Sequence, residues 1–446
     1  MKDVLFMKKS KYNHFFPYTN EKAIAYNAMT NSLALLDVEQ AEILNDCTLN
    51  VDDIDDSFIG ELKKGGFVIE SNYDEHEALR YRMLRQRYNT DSFALTLMPT
   101  NACNFACAYC FEKGTFSNMY MSKDVQDGII EILSRKKLTI SSFFVTWFGG
   151  EPLMALDIIE SLTKRFVEIC TENNITYSST MITNGYFLTK ENLERMNKLH
   201  INSIQVTVDG LEETHDKLRP HIDGSGTFNI IMQNLKDGYE LLPPTGLRIN
   251  IDKNNSTVGD DIYAYFKKHG MLDKIRLHYG KIMNDTNTHI ESACLHTCDF
   301  SEIDYNFKAS MTGAGVKMFN LPTPKGNFCG ADSQNTYLID AGGDMYKCWS
   351  EAGQKHFKIC NLSDTKFDEK QIYKYLLYDP TVDENCSDCT VLPLCMGGCP
   401  FKRVVGTADK CINEKYILEK ILDSVTNLII AERMKNQEES LVSSND

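Results

Sequence analysis

Between residues 93 and 282 the sequence alternates short apolar runs with amphipathic stretches, and each run ends in a turn of small or polar residues. FALTLMPT (93–100), FFVTWFGG (143–150), ITYSSTMITNG (175–185), SIQVTVDG (203–210), LRINIDKNN (247–255) and IRLHYGKI (275–282) read as strands. DIIESLTKRFVEICTEN (157–173) reads as one of the helices between them. This alternation implies a parallel sheet, open or closed as a barrel, because parallel neighbours need a crossover. In such sheets chemistry gathers at the C-terminal ends of the strands. The residues there are CNFAC, GGEP, TNG and VDG.

The flanks have a different texture. Residues 1–90 read as a small α+β unit. AIAYNAMTNSLALL (23–36) gives two strands around a Met-Thr-Asn turn, and Asp37 with Gln40 forms a capping box ahead of VEQAEIL. IDDSFIGELKKGGFVI gives a helix, a glycine stop and a strand. A polar helix follows over 74–89. Beyond about residue 325 the chain is rich in cysteine and turns. It closes with a packing helix over 412–437 and a frayed tail, EESLVSSND.

The 446 residues carry a net charge of −15, which argues against general nucleic-acid binding. No apolar run approaches the roughly 18–20 residues of a membrane span, and no signal-peptide pattern opens the chain. The expected setting is therefore cytoplasmic, with no membrane partner. In that reducing compartment 15 cysteines, mostly clustered, point to metal sites. Cys47 and Cys170 stand alone in apolar or helical contexts and read as buried free thiols.

In CNFACAYCFE (103–112) three cysteines are spaced C-x3-C-x2-C. A [4Fe–4S] cluster has four irons, so three thiolates leave one iron open to a small molecule. Catalytic zinc also keeps an open position, but this spacing is uncommon for zinc. CNFACAYC resembles the signature of the radical S-adenosylmethionine (SAM) superfamily. The resemblance implies a partial (β/α)6 TIM-like barrel, with a cluster on Cys103, Cys107 and Cys110 whose open iron is chelated by SAM. It extends to Gly149-Gly150-Glu151-Pro152, which resembles the motif whose backbone and Glu hold the SAM amino group. It implies Tyr109 or Phe111 against adenine, and SAM contacts from Asn184 of TNG. HDKLR (215–219) resembles a stretch whose Arg approaches SAM in peptide-modifying members, which adds Thr180 and Arg219 as candidates. Asp209 and Glu112 lie near this site and read as structural.

The second array runs Cys329, Gly343-x4-Cys348, Cys386-x2-Cys389-x5-Cys395-x3-Cys399 and Cys411. It resembles the SPASM domain, which carries two auxiliary [4Fe–4S] clusters, making three in all. The resemblance implies an outer cluster on Cys386, Cys389, Cys395 and Cys411, and an inner one on Cys329, Cys348 and Cys399. Some members have an eighth cysteine six residues after the first, where this chain has Asn335. The inner cluster then has an open iron, or Cys294, Cys298 or Cys360 fills it. A pair of zinc knuckles is the alternative to the whole array.

The resemblance implies the domains 1–90 (a winged-helix-like, leader-peptide-binding unit), 91–300 (radical SAM core), 301–325 (a bridge) and 326–446 (SPASM domain with C-terminal helix). It also implies an electron donor such as flavodoxin or ferredoxin. The expected activity is a crosslink installed in a ribosomally made precursor peptide, first a Cys thioether of the sactipeptide or ranthipeptide type, with a streptide-type carbon–carbon or ether link second. Sulfatase maturation to formylglycine is third, because Trp349 stands where those enzymes carry an Asp directly after the GxxxxC cysteine. An iron–sulfur protein of electron transfer or sensing is the remaining class.

Overall fold

The computed structural model describes residues 7–45, 56–112, 117–284, 291–407 and 409–443; Cys47 lies outside them. The N-terminal unit contributes β1 (Met7–Lys9), β2 (Asn13–Pro17), β3 (Lys22–Asn27), β4 (Ser32–Asp37) and β5 (Val68–Glu70). β2, β3 and β4 form an antiparallel sheet, and β1 pairs with β5. The turn between β3 and β4 closes with Asn31 at φ 63°, and Gly66 at φ +74° ends the helix Asp56–Gly65. The expected capping box is half present. Gln40 accepts from the Asp37 N–H at 3.0 Å, but the Asp37 carboxylate pairs with Lys22 instead of the helix.

Six strands then follow: β6 (Ser92–Leu97), β7 (Ser142–Trp147), β8 (Thr176–Thr183), β9 (Ile201–Thr207), β10 (Thr245–Ile251) and β11 (Ile275–Lys281). They pair in sequence order, every pair parallel, which is the (β/α)6 arrangement of a partial barrel. Leu97 lies opposite Trp147, and Trp147 opposite Met181, so the C-terminal ends of the strands share one level. The helix Leu156–Glu172 buries Leu156, Ile159, Leu162, Phe166 and Cys170, a 3–4 spacing that puts one apolar face on the sheet.

The sheet does not stop at β6. β12 (Thr336–Ile339) lies parallel to it, followed by antiparallel β13 (Asp344–Tyr346) and β14 (Cys360–Asn361). This addition was not legible in the four-residue run TYLI. It closes a sheet edge whose backbone would otherwise be unpaired. Leu338 of β12 packs with Met98, Phe148 and Tyr346 in a separate cluster at this seam.

The expected boundary at residue 300 falls inside one helix, Thr297–Gly313. The last helix, Glu414–Ser443, is longer than the expected 412–437, is irregular at Ile417, and includes much of the tail read as frayed. The helix Glu75–Arg87, capped by Asp74, delivers a fully buried Arg87 to the carbonyls of Leu376 and Tyr378. Tyr12, Tyr26, Leu79 and Met83 form a second core with Leu392, Leu394, Leu418 and Leu422. The N-terminal unit is thereby packed onto the cysteine-rich region. Among the described residues no helix is long and apolar enough to cross a membrane.

The seam makes a stability prediction. Leu338 is 1% exposed, so Leu338→Ala should cost about 2–5 kcal/mol in denaturant unfolding. A change within about 0.5 kcal/mol, as at a surface position, would mean that the edge strand is not packed as described.

Candidate functional site

A cavity of about 390 Å³ opens at the C-terminal ends of the strands. Cys103, Cys107 and Cys110 all line it, as free thiols. Their loop is pinned by backbone on two sides. On one side Ala106 and Ala108 donate to the carbonyls of Pro220 and Leu218, while Ile222 donates to Asn104. On the other side Gly150 donates to Thr100 and Glu151 to Ala102. A Cβ at Gly150 would stand 2.2 Å from the Ala102 carbonyl oxygen, and Gly149 adopts φ +110° with the Thr100 oxygen 2.7 Å from its missing Cβ. Both glycines are required so that this turn can touch the cysteine loop.

Burial pushes the Cys103 thiol up to about 12 and the Cys107 and Cys110 thiols upward as well. The thiols of the loop are therefore neutral by themselves, and thiolate ligation requires the positive charge of whatever they bind. Among the described residues no three Cys, His, Asp or Glu side chains close on a point that a single ion would occupy. The cysteines of a four-iron cluster stand around a cube, not around a point, and the donor set fits such a group.

Of the other expected residues, Tyr109, Phe111, Gly149, Gly150, Asn184 and Arg219 line the cavity. Arg219, 7% exposed, donates to the Tyr109 hydroxyl at 2.7 Å and lies 3.8 Å from Asp209. Tyr109 also bonds to Asp209 and accepts from Asn250 at 3.0 Å. Asp209 is thus structural, as expected, and anchors a buried network beneath the cavity. Asn184 holds Asn104 at 2.8 Å, coupling TNG to the cysteine loop.

Three expected residues are not among those that line the cavity. Pro152 opens a buried helical turn. The Thr180 hydroxyl is one strand layer too deep and bonds to Ser203. Glu151 is fully buried, and its carboxylate accepts from Leu153 N–H, the Thr183 hydroxyl and Asn184 N–H at 3.0, 2.7 and 2.7 Å. A buried carboxylate needs such partners. Glu151 therefore ties GGEP to TNG, and the surface the motif gives the cavity is its two glycines. Burial still raises this carboxyl to about 7, against the pull of those hydrogen bonds.

The opposite wall comes from residues the sequence reading passed over. Gln205 and Thr207 of β9 and Arg248 and Asn250 of β10 share one parity, and strand alternation would have found them. Trp349 closes the top. Its ring stacks on Phe148 with centroids 4.9 Å apart, Phe148 stacks on Phe111, and its indole N–H donates to Thr96 at 2.9 Å. No local pattern would place Trp349 there, since β12 brings it.

The C-terminal cysteines separate into two groups. After burial, which is the larger cause, Cys399 disfavours ionisation of Cys329, and Cys329 and Cys399 disfavour that of Cys348. Cys386, Cys389 and Cys411 act in the same way on Cys395. Asn335 bonds to Thr90 and Lys136. Cys360 sits in the main core, with Asp364, Lys358 and Asp344 as its charged neighbours. Cys294 stands among Glu291, Asp252, Lys253 and Lys281. Cys298 is exposed, 3.7 Å from Asp299. Lys281 at the end of β11 binds Asp409 at 2.6 Å, joining the barrel mouth to the Cys411 segment.

Comparison with known proteins agrees with this geometry. Residues 97–256 match the Radical SAM superfamily. The chain is 24% identical over 375 residues to a cysteine-type anaerobic sulfatase-maturating enzyme of Clostridium novyi (strain NT), covering 75% of this chain and 96% of that one. It is 26% identical over 357 residues to the serine-type enzyme of Bacteroides thetaiotaomicron, covering 69% and 82%. Among solved structures, native anSMEcpe with bound AdoMet and a Cp18Cys peptide has a TM-score of 0.59 at 16% identity, over 76% of this chain and 99% of that one. Streptococcus suis SuiB bound to its precursor peptide SuiA has a TM-score of 0.53 at 15% identity, over 91% and 98%. Both structural likenesses are likenesses of fold. A parallel half-barrel with three free thiols at its mouth defines the class, an iron–sulfur enzyme built on an α/β barrel. Residues 97–256 are a radical SAM region by this match, similar to a superfamily that uses a [4Fe–4S] cluster and SAM.

Glu112 at the cavity wall gives a pH test. Burial raises its carboxyl from 4.5 to about 8. The folded protein then keeps a proton that the unfolded chain releases, so stability falls as pH rises from about 4.5 to about 8 and levels off above. Glu112→Gln should flatten that part of the denaturant-midpoint profile. The same slope in variant and wild type would contradict the assignment.

Proposed function

We propose that the chain is a SPASM-type peptide maturase that holds three [4Fe–4S] clusters and installs an intramolecular crosslink, first of all a Cys thioether, in a ribosomally made precursor peptide. The observation that carries this reading is that Cys103, Cys107 and Cys110 line one cavity while seven cysteines of the C-terminal region fall into two groups. Cys103, Cys107 and Cys110 hold the SAM cluster. Cys329, Cys348 and Cys399 hold the inner auxiliary cluster, and Cys386, Cys389, Cys395 and Cys411 the outer one. Asn335, whose side chain bonds to Thr90 and Lys136, supplies no thiolate, so three cysteines would hold the inner cluster and a substrate thiolate could complete it.

SAM on a reduced cluster supplies a 5′-deoxyadenosyl radical that takes hydrogen from an unactivated carbon, and the protein supplies positioning and a dry site. Gly149, Gly150 and Asn184 receive the methionine part of SAM. Phe111 offers its ring to the adenine, and Arg219 with Tyr109 gives the polar floor. The stack of Trp349 on Phe148 keeps water from the reacting carbon. The N-terminal unit binds the leader peptide by strand addition, and a flavodoxin or ferredoxin supplies electrons. The fold likeness to SuiB over 91% of the chain supports a precursor peptide as partner.

A second reading, formylglycine formation on a sulfatase, is favoured by the two sulfatase-maturating relatives. Trp349 at the place of their Asp weighs against it, following the motif comparison above. Mass spectrometry separates the two. Incubated anaerobically with SAM and reductant, a precursor peptide should become lighter by two hydrogens per link, with its linked cysteines no longer alkylatable. An unchanged precursor, together with an aldehyde formed from Cys or Ser in a sulfatase peptide, would transfer the chain to the second reading.

A further inference from the structure

Among the described residues three cations line the cavity, Arg219, Arg248 and Lys281, and they differ in how they are satisfied. Arg219 donates to Tyr109 and lies 3.8 Å from Asp209, and its Nε is sealed from solvent. Lys281 donates to the Asp409 carboxylate and the Thr297 hydroxyl, both at 2.6 Å. Arg248 has no such partner. Among the described residues no carboxylate lies within ion-pair distance of its guanidinium, that of Glu112 on the cavity wall included. Among the same residues its side chain makes one hydrogen bond, from Nε to Asn250 Oδ1 at 2.7 Å. Its two Nη groups meet no acceptor there and, unlike the Arg219 Nε, are not sealed off.

The strands prepare this guanidinium for a ligand. Arg248 and Asn250 stand two residues apart on one face of β10, so the arginine reaches past Asn250 toward the strand end. Gly280 of β11 pairs with Asn250. A Cβ at Gly280 would stand 2.3 Å from Arg248 Nε and 2.4 Å from its Cζ and Nη2. The guanidinium therefore lies against the bare backbone of Gly280, and Asn250 fixes its direction. Asp209 acts on it from further off, but that carboxylate already serves Tyr109, the Asn250 N–H and Arg219. Burial works against the Arg248 charge, and Arg219 adds to the opposition. A half-buried guanidinium in such surroundings is costly unless an anion joins it. The wall that carries it faces the Gly149-Gly150 turn across the cavity.

We propose that Arg248 is a carboxylate subsite for the substrate: its two Nη groups receive the side chain of an Asp or Glu in the precursor peptide. The inference rests on the peptide-maturase reading above and adds to it that an acidic residue lies at or beside the reacting carbon. A guanidinium presents two parallel N–H groups that match the two oxygens of one carboxylate, which an ammonium does not. Arg219 and Lys281 are excluded from the role by the carboxylates they already face.

The experiment is equilibrium dialysis of radiolabelled acetyl-Ala-Asp-Ala-amide and acetyl-Ala-Asn-Ala-amide against the reconstituted full-length enzyme saturated with SAM, with glutarate and labelled SAM dialysed in parallel. Wild type should bind the Asp peptide about tenfold or more tightly than the Asn peptide, because only the first makes a charge-assisted pair. Arg248→Gln should erase that preference and Arg248→Lys should keep part of it. Gly280→Ala, which leaves the charge in place and displaces the guanidinium, should reduce it. In each variant SAM affinity should change less than the peptide preference. Should Arg248→Gln fail to fold with its iron, Arg248→Lys and Gly280→Ala decide by the same comparison. Equal binding of the two peptides by wild type overturns the proposal, as does no binding of either peptide or of glutarate. So does an Arg248→Gln protein that keeps the preference, or one that loses SAM instead, because the anion would then be the carboxylate of SAM itself. Glutarate bound in an Arg248-dependent way, with neither peptide bound, upholds the carboxylate site and overturns the peptide reading beneath it.

Discussion

The loop from Cys103 to Cys110 depends on backbone contacts, and the rest of the site depends on the loop. Its carbonyls and N–H groups are held between the Gly149-Gly150 turn and the Leu218–Pro220 segment. The first of these contacts tolerates no side chain at Gly150. Because the barrel strands are parallel and end at the same level, four separate strand ends converge on that loop. Glu151 then locks two of those ends together from below, and Asp209 with Tyr109 and Arg219 locks a third. The thiols are thus preorganised as buried groups whose ionisation burial disfavours.

The two halves of the chain are interdependent in the same way. β12 completes the edge of β6 and so carries Cys348 and Trp349 to the barrel mouth. Asp409 reaches back to Lys281 and fixes the approach to Cys411. Arg87 arrives from the N-terminal unit and shares Asp332 with Arg403 beside the inner group. Each of these contacts is a charge or a backbone edge that would be unfavourable if left alone.

Much of this was legible in the sequence, for physical reasons. Strand periodicity with glycine and polar stops located all six barrel strands, and the spacing in CNFACAYC located the three thiols that line the cavity. What local pattern carries, it carries well. The bonds of Glu151 to Thr183 and Asn184 were not legible, because a motif says which residue is present and not where its lone pairs are used. Nor was the bond of Thr180 to Ser203, because strand parity gives the face but not the partner. The β12 addition, the Trp349 stack and the Arg87–Asp332–Arg403 group were illegible because they pair residues 71 to 253 positions apart, with nothing local to mark them. Arg248 and Gln205 could have been found from strand alternation, had it been followed past the motifs.

The central claim is that ten cysteines hold three clusters. Its most direct test is a count of iron and sulfide in anaerobically reconstituted protein, with and without Cys103→Ala, Cys107→Ala and Cys110→Ala combined. The account predicts about twelve irons per chain, falling to about eight when the first group is removed. About four irons in the wild type, or zinc in place of iron, would contradict it.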